Sequence, residues 1–141
     1  MKRIVPFVLV SAGTALLLPG CAHASSAAVN QLGGSWSLVS VTSASTGGVP
    51  ADVRQVAATA KFTGDSVSFF DGCNHGSGTV HESGGTFSIN DLAVTAMGCK
   101  GDPALDHVQL AMTTVLVGFK AARAGDHLSL TTGSNRLEFA R

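Results

Sequence analysis

The strongest constraint on the fold of this chain is a change of hydrophobic period late in the sequence. Upstream, apolar and polar residues alternate in short runs, as in "SWSLVSV" at residues 35–41, which is typical of half-buried strands. Directly after Asp102 and Pro103 the apolar spacing becomes three and four, which places one stripe on a single helical face: Leu105, Val108, Met112, Val115, Leu116 and Phe119. Asp102 suits the capping position and Pro103 the first helical position. The pattern therefore predicts one amphipathic helix over residues 104 to about 118.

Short strand candidates flank this helix on both sides. They are separated by turn signals that indicate hairpins, at Gly64-Asp65, Ser83-Gly84-Gly85, Gly125-Asp126 and Gly133-Ser134-Asn135. One helix cannot cover a flat sheet of about eight strands, so the sheet should curl around it. We therefore predict an α+β fold, in which a largely antiparallel and strongly curled sheet, a half-open β-barrel, packs on one amphipathic helix.

The first twenty residues have the pattern of a secretory signal. Lys2 and Arg3 precede an apolar, uncharged run that is too short and too abruptly ended to favour a membrane-spanning helix. The run closes on "LLPGC", which resembles a bacterial lipobox and implies that Cys21 becomes acylated. The alternative is ordinary cleavage after "AHA" at residues 22–24.

This N-terminal pattern predicts three regions: a signal peptide at residues 1–20, a lipid-anchored flexible tether at 21–31 and one domain at 32–141. The protein is then exported and held at the membrane of the cell envelope through its lipid. From Cys21 onward the chain keeps seven basic residues, nine less Lys2 and Arg3, against nine acidic ones. Without clustered Lys and Arg, nucleic-acid binding is disfavoured, and we expect a monomer.

Two motifs carry a family resemblance. "GCN" at residues 72–74, with Gly78 four positions after Asn74, precedes "LAVTAMGC" at 92–99. Together with "GSWSLVSV" near the start and "LEF" near the end, they resemble the META domain family, also called HslJ-like, over roughly residues 32–141. The resemblance implies a cracked β-barrel wrapped on a helix. It also implies a bacterial envelope lipoprotein tied to stress and drug tolerance, with no enzymatic activity and no cofactor. The motif residues then have structural roles: Gly72, Asn74, Gly78, Thr95 and Met97.

The body of the chain holds two cysteines, Cys73 and Cys99. An even count in an exported domain predicts a disulfide, and the alternative is two buried free thiols. A zinc site would draw its ligands from Cys73, His75, His81, Cys99 and His107, but no Cys-x-x-Cys spacing supports it, so no metal is expected.

The stretch "FFDGCNHGSGTV" at residues 69–80 is interpreted as a stapled corner, by which we mean a tight turn held by a disulfide and not an active site. No Gly-x-Ser-x-Gly elbow or nucleophile–base pair is visible in the chain. Phe69 and Phe70 should point to opposite faces, so that at least one enters the core. Gly72 should allow the turn and Asn74 should bond the turn's own backbone. Met97 is expected in the core. The remaining candidate partners are an envelope protein or a small apolar ligand held between sheet and helix.

Overall fold

The computed structural model of the protein describes residues 25–141. Two helices and nine strands follow one another in the described chain: α1 Ser25–Asn30, β1 Gly34–Thr42, β2 Ala51–Asp52, β3 Thr59–Thr63, β4 Ser66–Phe70, β5 His75–Ser83, β6 Thr86–Val94, α2 Pro103–Val115, β7 Lys120–Ala124, β8 His127–Thr132 and β9 Asn135–Ala140. Two short 3₁₀ turns, Ala44–Thr46 and Arg54–Val56, lie between β1 and β3.

All strands join one antiparallel sheet. Its order is β6-β5-β4-β3-β1-β9-β8-β7, with β2 paired to β1 beside this path. The curl of the sheet brings its two ends together, where Phe87 and Phe119 exchange two backbone hydrogen bonds of 2.8 Å. Their rings stack with centroids 5.6 Å apart. In the described chain β6 and β7 are not paired as neighbouring strands and are joined beside this isolated bridge, so the sheet is a half-open barrel and the predicted fold class is confirmed.

The helix α2 closes one mouth of this barrel. Asp102 caps it, with its Oδ1 accepting the Ala104 N–H at 2.8 Å, and Pro103 is the first helical residue. The inward face of the helix is buried against β1, β8 and β9: Leu105, Val108, Ala111, Met112 and Val115. The helix ends at Val115, earlier than predicted, because Phe119 must be extended to pair with Phe87. Leu116 and Phe119 are nevertheless buried, as the stripe predicted.

The other mouth is closed by the chain that leads into β1. Leu32 is fully buried, and the Trp36 Nε1–H donates to the Leu32 carbonyl at 2.7 Å. The Arg141 guanidinium lies 4.1 Å from the centre of the Trp36 ring. Apolar side chains thus fill the barrel from both ends.

The boundary between tether and domain differs from the prediction. The sequence predicts a flexible tether at residues 21–31, but residues 25–30 form α1, and Val29 is buried against the core. The packed domain therefore begins before residue 32, because the side chains of Val29 and Leu32 both pack in the hydrophobic core. The predicted signal peptide, the predicted lipidation site Cys21 and the first residues of the predicted tether lie outside the described residues. Between residues 25 and 141, no helix combines the length and apolar character that crossing a bilayer requires.

Strand β6 runs without a break from Thr86 to Val94. Asp91 interrupts its regular geometry with a φ of 52°, and the pairing with β5 shifts register between Ser77 and Thr79. This bulge bends β6 so that its end reaches the β4–β5 corner. The predicted hairpin turns all join paired neighbouring strands.

Candidate functional site

The predicted corner lies between β4 and β5, beside the start of α2. A disulfide joins Cys73, which is buried in the corner, to Cys99, which lies on the exposed segment after β6. The two Cα atoms are 6.0 Å apart, within the usual range for a bridge. The disulfide therefore ties the corner to a segment that belongs to no strand.

Asp71 organises the backbone of the corner. Its side chain is buried, and Oδ1 accepts the N–H of Cys73 at 2.9 Å and the N–H of Asn74 at 2.6 Å. Its own N–H donates to the Asn74 carbonyl at 3.0 Å. Sequence reasoning missed Asp71. The sequence does contain a signal for this role. An aspartate stands directly before the Gly-Cys-Asn turn, and Asp side chains commonly hydrogen-bond the backbone two residues onward.

Asn74 has a different role from the predicted one. Its Oδ1 accepts the Met97 N–H at 2.7 Å and the Thr95 hydroxyl at 3.2 Å, and the Thr95 Oγ1 accepts the His75 N–H at 3.0 Å. Asp71 already satisfies the turn's donors, so the Asn74 side chain is free to cross to the segment after β6. Asn74 and Thr95 therefore hold that segment in place beside the disulfide.

Two motif glycines are required by close packing. Gly72 has a φ of +97°, and a Cβ built on it would overlap Val56 Cγ1 and lie 2.9 Å from Leu105 Cδ1. The corner thus packs against both the Arg54–Val56 turn and the first turn of α2. A Cβ on Gly78 would overlap Ile89 and lie 2.9 Å from the Asn90 carbonyl, so this glycine permits the approach of β6.

The prediction that Met97 lies in the core is wrong. Its side chain is 60% exposed, and neighbouring Val94 is 41% exposed. The prediction assumed that strand alternation continues to Cys99, but β6 ends at Val94. Beyond that residue the chain is held by the Met97 N–H and by the Cys99 sulfur, and the Met97 side chain is not needed for packing. The two phenylalanines follow the prediction: Phe69 is buried and Phe70 is half-buried.

The histidines considered for zinc are dispersed. His75 packs on Phe70 with ring centroids 4.7 Å apart, and His107 Nδ1 lies 3.0 Å from Ser45 Oγ. His81 is exposed on β5. Cys73 and Cys99 are joined to each other, so their thiolates are not available as ligands. In residues 25–141 no three His, Cys, Asp or Glu side chains converge as a metal site would require.

The space between sheet and helix is occupied by side chains. Val108, Met112 and Val115 are at most 1% exposed and pack into the barrel core. This packing does not favour the apolar-ligand alternative, which needs an open cavity there. An open groove of about 1410 Å³ lies instead across β1, β3, β4, β5 and β6, mainly on their outward-facing residues. We call it the outer groove; it runs from Arg141 and Gly34 at one end to His75 and Thr95 at the other.

Fold and corner together define a class of protein: a small cracked β-barrel, plugged by one helix, with a disulfide and a side-chain amide holding the β4–β5 corner to the chain after β6. The chain belongs to the META domain family, whose family model matches residues 28–141.

Two solved structures share the fold. An NMR structure of a protein from Burkholderia xenovorans is 21% identical, with a TM-score of 0.62 over 99% of this chain and 98% of that one. A second NMR structure is 24% identical, with a TM-score of 0.60 over 76% of this chain and 87% of that one. At these identities the likeness shows the fold alone. No curated protein matches the sequence.

The hydrogen bonds of the corner predict a contrast between two neighbouring residues. Asn74→Ala should lower the free energy of unfolding by about 2 kcal/mol, because the Met97 N–H and the Thr95 hydroxyl both lose their acceptor. His75→Ala should change it by less than about 0.5 kcal/mol, since the His75 side chain is exposed. Urea unfolding of both variants measures the difference. Equal losses, or a lower midpoint of the wild type in chelator, would contradict the stapled-corner interpretation.

Proposed function

We propose that this META-domain protein is exported, anchored to the envelope membrane through a lipid on Cys21, and acts there as a non-enzymatic structural or binding module in stress or drug tolerance. The observation that carries the proposal is the Cys73–Cys99 disulfide. Disulfides persist in oxidising compartments and are rare in the cytosol, so this bridge supports an exported domain. The signal-like start supports export, and the lipobox resemblance at Cys21 supports a lipid anchor.

A non-enzymatic role is supported by the bonding of the corner. The polar side chains that a reaction would need are already engaged: Asp71 binds two backbone N–H groups, and Asn74 binds the segment after β6. Cys73, the most nucleophilic residue type present there, is held in the disulfide. A nucleophilic mechanism requires a free nucleophile within hydrogen-bond reach of a base. The corner is thus better suited to holding a surface in shape than to chemistry.

A binding role is supported by what the corner displays. It presents to solvent Val94, which lines the outer groove, and Met97, which lies three residues further along the chain. Exposed apolar side chains next to an open groove are typical of contact surfaces. In this proposal the protein is a monomer, and the surface faces a partner or ligand of the envelope.

Lipid attachment is tested on Cys21. The mature wild-type protein should carry a mass increase equal to its acyl chains on Cys21 and should sediment with membranes. Cys21→Ser should abolish incorporation of labelled palmitate and release the protein from the membrane fraction. Intact-mass spectrometry and fractionation measure both. A mature wild-type chain that begins at Ser25 and stays soluble would refute the anchor.

A further inference from the structure

We propose that the outer groove is a binding site for an anionic glycan chain, with Lys61 and Arg141 holding its acidic groups. This deepens the binding role proposed above and rests on it. The groove crosses the sheet along one row of paired, outward-facing residues: Ser35, Lys61, Ser68, Ser77 and Ala93. Neighbouring strands lie about 4.8 Å apart, so the row spans about 19 Å, the length of an extended chain rather than of a single small molecule.

The floor of the groove favours recognition through side chains. Strands β1, β3, β4 and β5 are each paired on both sides, so their backbone groups are already used. A peptide lying across them could not add itself as a strand, and most of its own backbone N–H and C=O groups would lack partners. A ligand in this orientation must therefore be recognised by the groove's side chains.

Those side chains are suited to sugars. Five hydroxyl groups line the groove without a hydrogen bond to any other described residue: Ser35, Ser37, Thr59, Ser68 and Ser77. Each can donate one hydrogen bond and accept others, as the hydroxyls of a glycan can. At one end the half-buried Phe70 ring, backed by His75, offers an apolar surface for the C–H face of a sugar ring. The OB-fold, another small β-barrel, binds oligosaccharides on the face of two of its strands and the adjoining loops.

The charge of the groove selects an acidic chain. Among residues 25–141, Lys61 and Arg141 are the charged residues that line it, and no Asp or Glu does. The ion pairs found in residues 25–141, Arg54–Asp52 and Arg136–Glu138, involve neither of them. Arg141 uses part of its guanidinium on the Gly33 carbonyl and on the Trp36 ring, which fixes the group at the end of the groove. Carboxylate or phosphate groups on the chain would form charge-assisted hydrogen bonds with both cations.

Calorimetric titration of the full-length chain in mild detergent tests the site. The probes are a galacturonic acid hexamer, the neutral cellohexaose and the acidic peptide hexaglutamate. We expect the galacturonate hexamer to bind at least about tenfold more tightly than either of the others, and its affinity to fall with added salt. Comparable affinity for cellohexaose would overturn the role of the cations. Comparable affinity for hexaglutamate, or no binding of the galacturonate hexamer, would overturn the glycan site.

Paired variants locate the binding. Ser68→Phe fills the middle of the groove and should abolish binding, while Ser66→Phe, on the same strand and face but outside the lining, should not. Lys61→Gln should weaken binding about tenfold, while Lys120→Gln on β7 should leave it unchanged. Equal effects within either pair would overturn the assignment of the groove. Unfolding midpoints of all four variants confirm that they are folded. Lipid attachment at Cys21 is measured separately, by mass spectrometry. Failure of the glycan site can therefore be distinguished from failure of the proposed membrane anchor.

Discussion

Gly72→Ala is expected to lower the free energy of unfolding by about 3 kcal/mol. Two effects add. An alanine must adopt the φ of +97°, which side chains with a Cβ rarely accept, at about 1–2 kcal/mol. Its methyl group must also displace Val56 and Leu105, the residues that connect the corner to the Arg54–Val56 turn and to α2. Urea unfolding, followed by the fluorescence of Trp36, measures the loss.

Gly84→Ala is the matched control for this substitution. Gly84 also has a positive φ, +59°, but nothing lies within 4 Å of a Cβ built on it. Its replacement therefore carries the conformational cost alone, about 1 kcal/mol. If the free energy of unfolding falls equally in both alanine variants, the packing of Gly72 against the helix does not contribute to stability. The corner would then be less tightly packed on α2 than the structure indicates.

Loss of the disulfide is expected to have a comparable effect. In the chain-entropy model, a bridge across 26 residues stabilises the folded protein by about 3.5 kcal/mol. Cys73→Ala and Cys99→Ala should each lower the free energy of unfolding by this amount, and the double variant should lose little more, because either substitution removes the same constraint. Cys73→Ala should be slightly the more harmful, since Cys73 is buried and Cys99 is exposed.

The same measurement on the wild type with a reductant provides the control. Reduction should bring the unfolding midpoint close to that of Cys99→Ala, and it should leave that variant unchanged. Non-reducing peptide mapping should recover the two cysteines in one linked pair. Free thiols on both residues in the protein isolated from cells, or a midpoint insensitive to reductant, would contradict the bridge.

Much of the architecture could be predicted from local properties. The change from alternating to helical spacing marks α2, and Asp102-Pro103 marks its start, because capping and periodicity depend on near neighbours in the chain. The hairpins follow from their Gly-containing turns, and the curl of the sheet follows from having one helix to cover many strands. The pairing of Cys73 with Cys99 could be predicted from the even number of cysteines in the body of the chain and from its predicted export.

The tertiary structure decided what depends on contacts between distant segments. Sequence alone could not show that Asp71 satisfies the turn and leaves Asn74 to bind Met97, since both side chains suit the same donors. Met97 was misplaced because alternation specifies a face only while a strand continues, and β6 ends three residues earlier. The outer groove depends on the register of five strands, which brings Ser35, Lys61 and Ser68 into one row. Periodicity determined which residues face outward, but only strand pairing decided which of them become neighbours.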